Sequence, residues 1–92
     1  MIQSFADKHT EAFFNGEHVR SFQGFARQAE RRLNVLDAAM GSSDLAILHS
    51  NRLEILSGDR AGQRSIRINQ QWRICFVWLE DGPHDVEIVD YH

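Results

Sequence analysis

The segment RAGQRSIRINQQWRICFVWLEDGPHDVEIVDYH, residues 60–92, decides the fold. Three runs in it alternate between apolar and polar residues. Ile66 and Ile68 flank Arg67; Trp72, Ile74, Phe76 and Trp78 oppose Arg73, Cys75 and Val77; Val86 and Ile88 oppose Glu87, Val89 and Tyr91. A period of two with one apolar set predicts strands that bury one face. Asp81-Gly82-Pro83 supplies the hairpin turn between the last two runs. Asn69-Gln70-Gln71 joins the first two. That loop sets Ile68 opposite Trp72 and Arg67 opposite Arg73, whereas a loop one residue shorter would set Ile68 against Arg73 and break the buried face. The expected sheet is antiparallel, with arginines on the face turned away from the core.

Upstream, residues 1–5 read as a short edge strand. Asp7 can cap a helix carrying Ala12, Phe13 and Phe14, which Gly16 stops. Ser21 reads as the cap of a second helix, in which Phe22, Phe25, Ala29, Leu33, Leu36 and Met40 fall on one face and Gly41 ends the run. Residues 41–56 read as loop, with an apolar piece at residues 45–48 and a short strand at Leu53 and Ile55; Ser57-Gly58-Asp59 is a turn. The expected architecture is α+β, with two N-terminal helices on one face of a small, mostly antiparallel sheet.

The chain has 92 residues, enough for one domain over residues 1–92. Cys75 is its single cysteine, so neither an intrachain disulfide nor a thiolate zinc site is expected, and its apolar neighbours suit a buried thiol. The N-terminus mixes charges into its apolar residues and no long apolar run follows. No signal peptide or spanning helix is therefore expected, and the expected location is the cytoplasm. His9, His18, His49 and His84 show no metal-ligand spacing, so no metal or other cofactor is expected.

The net charge is −3, which disfavours a simple nucleic-acid binder. Its distribution is uneven. Arg52, Arg60, Arg64, Arg67 and Arg73 stand against Glu54 and Asp59, while residues 80–90 hold five acids and no Lys or Arg. Such segregation can create a local positive field. Arg67 opposite Arg73 places like charges side by side, a cost that an anion between them would offset. A carboxylate such as Glu87 or Asp90 would offset it equally well, for structural reasons alone.

Tyr91 shares parity with Glu87 and so faces the arginines. His92 ends the chain beside its own α-carboxylate, which favours imidazolium and makes it a candidate acid or base. These residue types suit RNA cleavage by the substrate's own 2′-OH. That reaction needs a base, a cation for the phosphorane and an acid for the leaving 5′ oxygen. Arg73 and Arg67 suit the phosphate, Tyr91 stacking or hydrogen bonding, His92 proton transfer, and Asp90 orientation of its neighbours or the base.

Several stretches resemble HigB toxins, the plasmid maintenance killer branch of the RelE/ParE superfamily, and GraT-like members in particular. They are Met1-Ile2-x-Ser4-Phe5, Arg52-Leu53-Glu54, Leu56-x-Gly58-Asp59-Arg60-x-Gly62, Ser65-Ile66-Arg67-Ile68, Trp72-Arg73-Ile74-Cys75-Phe76 and Asp90-Tyr91-His92. The resemblance implies a type II toxin that cleaves mRNA in the ribosomal A site. It implies neutralisation by a HigA-type helix-turn-helix antitoxin, through which alone the toxin reaches operator DNA. The catalytic positions it implies are Arg73, Asp90, Tyr91 and His92, with Arg60, Arg64 and Arg67 contacting RNA or the 70S ribosome. Some relatives carry a basic residue in the segment held here by Glu54 and Ser57, so slow cleavage is expected. The alternatives are a gyrase poison, and a non-catalytic module docking its arginine face on an acidic partner or a ribosome-assembly target.

Overall fold

The computed structural model describes residues 1–90; Tyr91 and His92, two of the expected site residues, lie outside the described residues. Three α-helices precede a four-stranded antiparallel sheet of order β1-β2-β3-β4: α1 Lys8–Phe14, α2 Ala26–Ala38, α3 Ser42–Ile47, then β1 Glu54–Ile55, β2 Arg64–Arg67, β3 Arg73–Leu79 and β4 Gly82–Val89. No described helix is long and apolar enough to cross a membrane.

The alternation read from the sequence is the register found. Ile66, Ile74 and Ile88 face one another across three strands, and Arg67 stands opposite Arg73. The isoleucine row, with Phe76 and Val86, packs against Ala29, Leu33 and Leu36 of α2. Burying a side chain of this size removes it from water at a gain of roughly 1.5–3 kcal/mol each, so this interface holds the two layers together. Under the β2–β3 loop, Trp72 stacks on Phe25 at 4.7 Å and meets Phe22 edge-on at 6.2 Å.

The edge of β4 is covered. Gln3 N donates to the Pro83 carbonyl, and Val86 exchanges backbone hydrogen bonds with Ser4 and Ala6. Phe5 thus forms a parallel bridge to Val86, which is the expected N-terminal edge strand in reduced form. The buried Thr10 hydroxyl accepts from Ile88 N at 3.1 Å, so α1 also closes this edge. Asp7 caps α1 by accepting from Thr10 N, as its position predicts.

Other local expectations differ from what is found. Ser21 caps nothing: Arg20–Phe25 winds as a 3-10 turn, whose three-residue period brings Phe22 and Phe25 to the same buried side. Met40 does not join the core. Helix α2 ends at Ala38, Ala39 is extended, and Met40 is 92% exposed with its N–H held by the Asp44 carboxylate. Gly41 is extended rather than left-handed and precedes α3, the short helix that replaces the expected loop and buries Leu45.

The last hairpin also turns one step earlier than expected. Leu79 pairs with Gly82, so Glu80 and Asp81 form the turn and Pro83 lies within β4. An extra β4 residue between the pairs Cys75↔Glu87 and Val77↔His84 makes a bulge, with Asp85 in the left-handed region (φ 52°).

Candidate functional site

On the open face of the sheet one row crosses all four strands: Glu54, Ser65, Cys75 and Glu87. The next row places Arg67, Arg73 and Val89 side by side. These two rows, flanked by Arg52 and Arg60, form the candidate site.

Arg73 is its centre and is buried. Its Nε donates to Ser65 Oγ at 2.7 Å, and its Nη2 donates to the carbonyls of Arg52 and Ser65. Its Nη1 lies 3.2 Å from Glu54 Oε1. The guanidinium is therefore gripped on one side and meets a carboxylate on the other. Arg52 adopts the left-handed region (φ 45°, ψ 54°), uncommon for a residue with a side chain, and this turns its carbonyl toward Arg73.

That turn is anchored from behind. Asn51 is fully buried, donates to the Leu45 carbonyl at 3.0 Å and accepts from Arg32 of α2 at 2.6 Å. Burial, with a smaller contribution from Arg31, holds the Arg32 guanidinium below its ordinary pKa.

Arg67 does not stand beside Arg73 in side-chain terms. Although their Cα atoms are partners, Arg67 Nε donates to the Asn69 carbonyl at 3.1 Å, toward the hairpin loop, while Arg73 runs the other way toward Ser65. Divergence relieves the like-charge contact that the register imposes. Nor does Glu87 sit between them. It pairs with Arg60 at 3.4 Å, and Arg60 also donates to Gln63 Oε1 at 3.0 Å. The carboxylate on Arg73 is Glu54.

Arg64 has the parity of Ile66 and lies opposite Ile55 and Phe76, so the register puts it on the other face from Arg67 and Arg73. Asp90 is exposed just past the end of β4, and its Oδ2 accepts from Gln71 Nε2 at 2.7 Å. Cys75 is buried as expected. Its thiol lies within the electrostatic reach of Arg60, Glu87, Arg73 and Glu54, and burial pushes its pKa up to about 11.

Two grooves meet at Glu54. One of about 410 Å³ is lined by Ala46, Leu48, His49, Arg52, Leu53 and Glu54. The other, of about 460 Å³, runs from Glu54 past Ser57 and Asp59 to Arg60. Sequence reasoning missed Ser65, Asn51 and the Arg52 carbonyl as parts of the site, and gave His49 no place beside it. A two-residue edge strand carries no periodicity, so nothing in the sequence showed that Glu54 lies level with Ser65. Among the described residues no three His, Cys, Asp or Glu side chains cluster as metal ligands would.

This arrangement supplies a fixed buried cation whose Nη1 meets half-exposed Glu54, with Arg60 near by at the groove, which can stabilise charge that develops on a bound anion.

Comparison with known proteins accords with this geometry. The fold superposes on the YoeB-YefM complex from Staphylococcus aureus with a TM-score of 0.60 at 16% identity, covering 100% of this chain and 98% of that one. The sequence is 38% identical to Toxin HigB-1 of Vibrio cholerae serotype O1 over 82 residues, which span 87% of this chain and 86% of that toxin. Residues 3–92 match the HigB-like toxin family, RelE-like toxins of the type II toxin-antitoxin system HigB. By both the family match and the identity to HigB-1, the chain belongs to the HigB-like toxins of type II toxin–antitoxin systems.

Proposed function

We propose that residues 1–92 act as a single toxin domain in the cytoplasm. There the toxin cleaves mRNA on the translating 70S ribosome, by attack of the RNA's own 2′-OH and without a metal. Ribosome-dependent mRNA cleavage is the activity of this family. What supports its location here is the anchoring of Arg73, whose Nε and Nη2 are committed to Ser65 and Arg52 so that Nη1 is held in place at the groove.

In the proposed reaction a base removes the 2′ proton and the 2′ oxygen attacks the adjacent phosphorus. The phosphorane's extra negative charge is stabilised by the Arg73 guanidinium. The 5′ oxygen then leaves with a proton from an acid, giving a 2′,3′-cyclic phosphate and a 5′-hydroxyl end. A preorganised donor spends nothing on reorientation as that charge develops. Asp90, Tyr91 and His92 carry proton transfer and base stacking by the resemblance of the terminal Asp-Tyr-His. Arg60 and Arg67 contact RNA and ribosome, while Arg64, on the other face of the sheet, is left with the ribosome alone. As a type II toxin the chain has an antitoxin partner, proposed to be of the HigA helix-turn-helix kind.

Primer extension on mRNA from cells briefly expressing untagged toxin tests this. Wild type should give new in-frame 5′ ends inside translated regions, and a chain lacking His92 should give far fewer at equal protein level. Growth arrest without new ends would refute cleavage and move the target to gyrase or to ribosome assembly.

A further inference from the structure

We propose that Glu54 occupies the position a phosphodiester takes at Arg73, so that displacing this carboxylate sets how readily the toxin engages RNA. The proposal rests on Arg73 being the phosphate-binding cation. Arg73 Nε and both Nη2 contacts are spent on Ser65 and the Arg52 carbonyl, which are fixed parts of the fold. The remaining nitrogen, Nη1, is met by Glu54 Oε1 at 3.2 Å. An anion that needs this guanidinium must therefore share or take the place of Glu54.

The pair is asymmetric in a way that suits exchange. The Arg73 side chain is 8% exposed and that of Glu54 is 53% exposed. The carboxylate reaches water without any movement of the sheet, whereas the guanidinium cannot leave. Glu54 belongs to a two-residue strand at the sheet edge, with no further strand beyond it among the described residues. Both grooves flanking the site have Glu54 in their walls, so a chain following either one meets the carboxylate beside Arg73. A half-exposed carboxylate is held weakly, and a phosphate can replace it with charge-assisted hydrogen bonds of its own. Until it does, the two anions repel.

The test compares wild type, Glu54→Gln and Glu54→Ala. The Gln variant keeps an oxygen for Nη1 while removing the charge, and a thermal melt of each establishes folding. The probe is a single-stranded oligonucleotide with 2′-O-methyl riboses, which binds but cannot be cleaved, read by fluorescence anisotropy at low salt. Primer extension is run in parallel. Glu54→Gln should bind the probe about tenfold tighter, as expected when an opposing carboxylate is neutralised, and should cleave mRNA faster.

Unchanged or weaker probe binding by Glu54→Gln overturns the proposal, and leaves the nuclease reading intact if wild type still produces new mRNA ends. Unchanged probe binding together with abolished cleavage overturns it in favour of Glu54 as the general base. No binding by any variant and no mRNA ends from wild type removes the nuclease reading and the proposal together.

Discussion

Arg73→Ala is the obvious variant for a catalytic test, and the structure predicts that it damages the fold first. The guanidinium donates to Ser65 Oγ at 2.7 Å and to the Ser65 carbonyl at 3.3 Å in a buried setting, and to the Arg52 carbonyl in a partly buried one. Hydrogen bonds from a charged group contribute about 1.5–3 kcal/mol each when well made. The contact with half-exposed Glu54 adds no more than about 1 kcal/mol after solvent screening. Truncation also removes the Arg73 donor from Ser65 and from the left-handed Arg52 turn, offset in part by relief of a buried charge. The net expectation is a loss of about 3–5 kcal/mol, a large share of the 5–15 kcal/mol typical of a small domain.

Equilibrium urea unfolding followed by Trp72 and Trp78 fluorescence measures this directly. With a slope of about 1–3 kcal/mol per molar urea, the midpoint should fall by roughly 1 M or more. Arg73→Lys, which keeps a charge but not the planar fork, should lose about half as much. A loss below about 1 kcal/mol for Arg73→Ala would refute the reasoning. It would mean that the guanidinium is not held by Ser65 and Arg52, and that a loss of toxicity could be assigned to catalysis without a stability correction.

Asn51→Ala removes the buried link between Arg32 and the Leu45 carbonyl; a loss of about 2 kcal/mol is expected, read by the same unfolding assay. Gly82→Ala should lower the melting temperature by roughly 8 °C or more. Gly82 has φ +127°, and an added Cβ would lie 2.6 Å from the Met1 carbonyl oxygen; an unchanged melt would show that the N-terminal segment does not pack there. Cys75 should resist thiol reagents at pH 8 in the native state and react on unfolding, since burial pushes its pKa up to about 11. Between the ordinary thiol pKa and that value the unfolded chain ionises and the folded one does not. Stability should therefore fall by up to roughly 1.4 kcal/mol per pH unit above about pH 8.5, and Cys75→Ala should remove that part of the slope.

Much of the fold was legible because strand periodicity is local. The alternation of Ile66, Ile68, Trp72, Ile74 and Phe76 fixed both the buried face and the pairing of Arg67 with Arg73, since a one-residue slip would have exposed every one of them. The cap at Asp7 and the Ala29, Leu33, Leu36 stripe were equally readable, because a capping side chain and a helical face depend on near neighbours in sequence. Met40 and Ser21 misled because the helical spacing continues past the point where the backbone leaves the helix. Only packing of Phe22 and Phe25 against Trp72 decides how the chain enters α2.

For the site, the residue types and their family were in the sequence, while the partners were not. Which carboxylate meets Arg73 depends on a two-residue edge strand that brings Glu54 level with Ser65. Which way each guanidinium turns depends on acceptors that only the folded backbone presents, the Arg52 and Asn69 carbonyls. The sequence by itself determined the three longer strands, the register of β2 on β3 and the face that carries Arg67 and Arg73, because periodicity and loop length encode these locally. Tertiary structure alone decided that Arg73 is buried and answered by Glu54 while Arg60 meets Glu87, because long flexible charged side chains choose among acceptors brought near by distant segments.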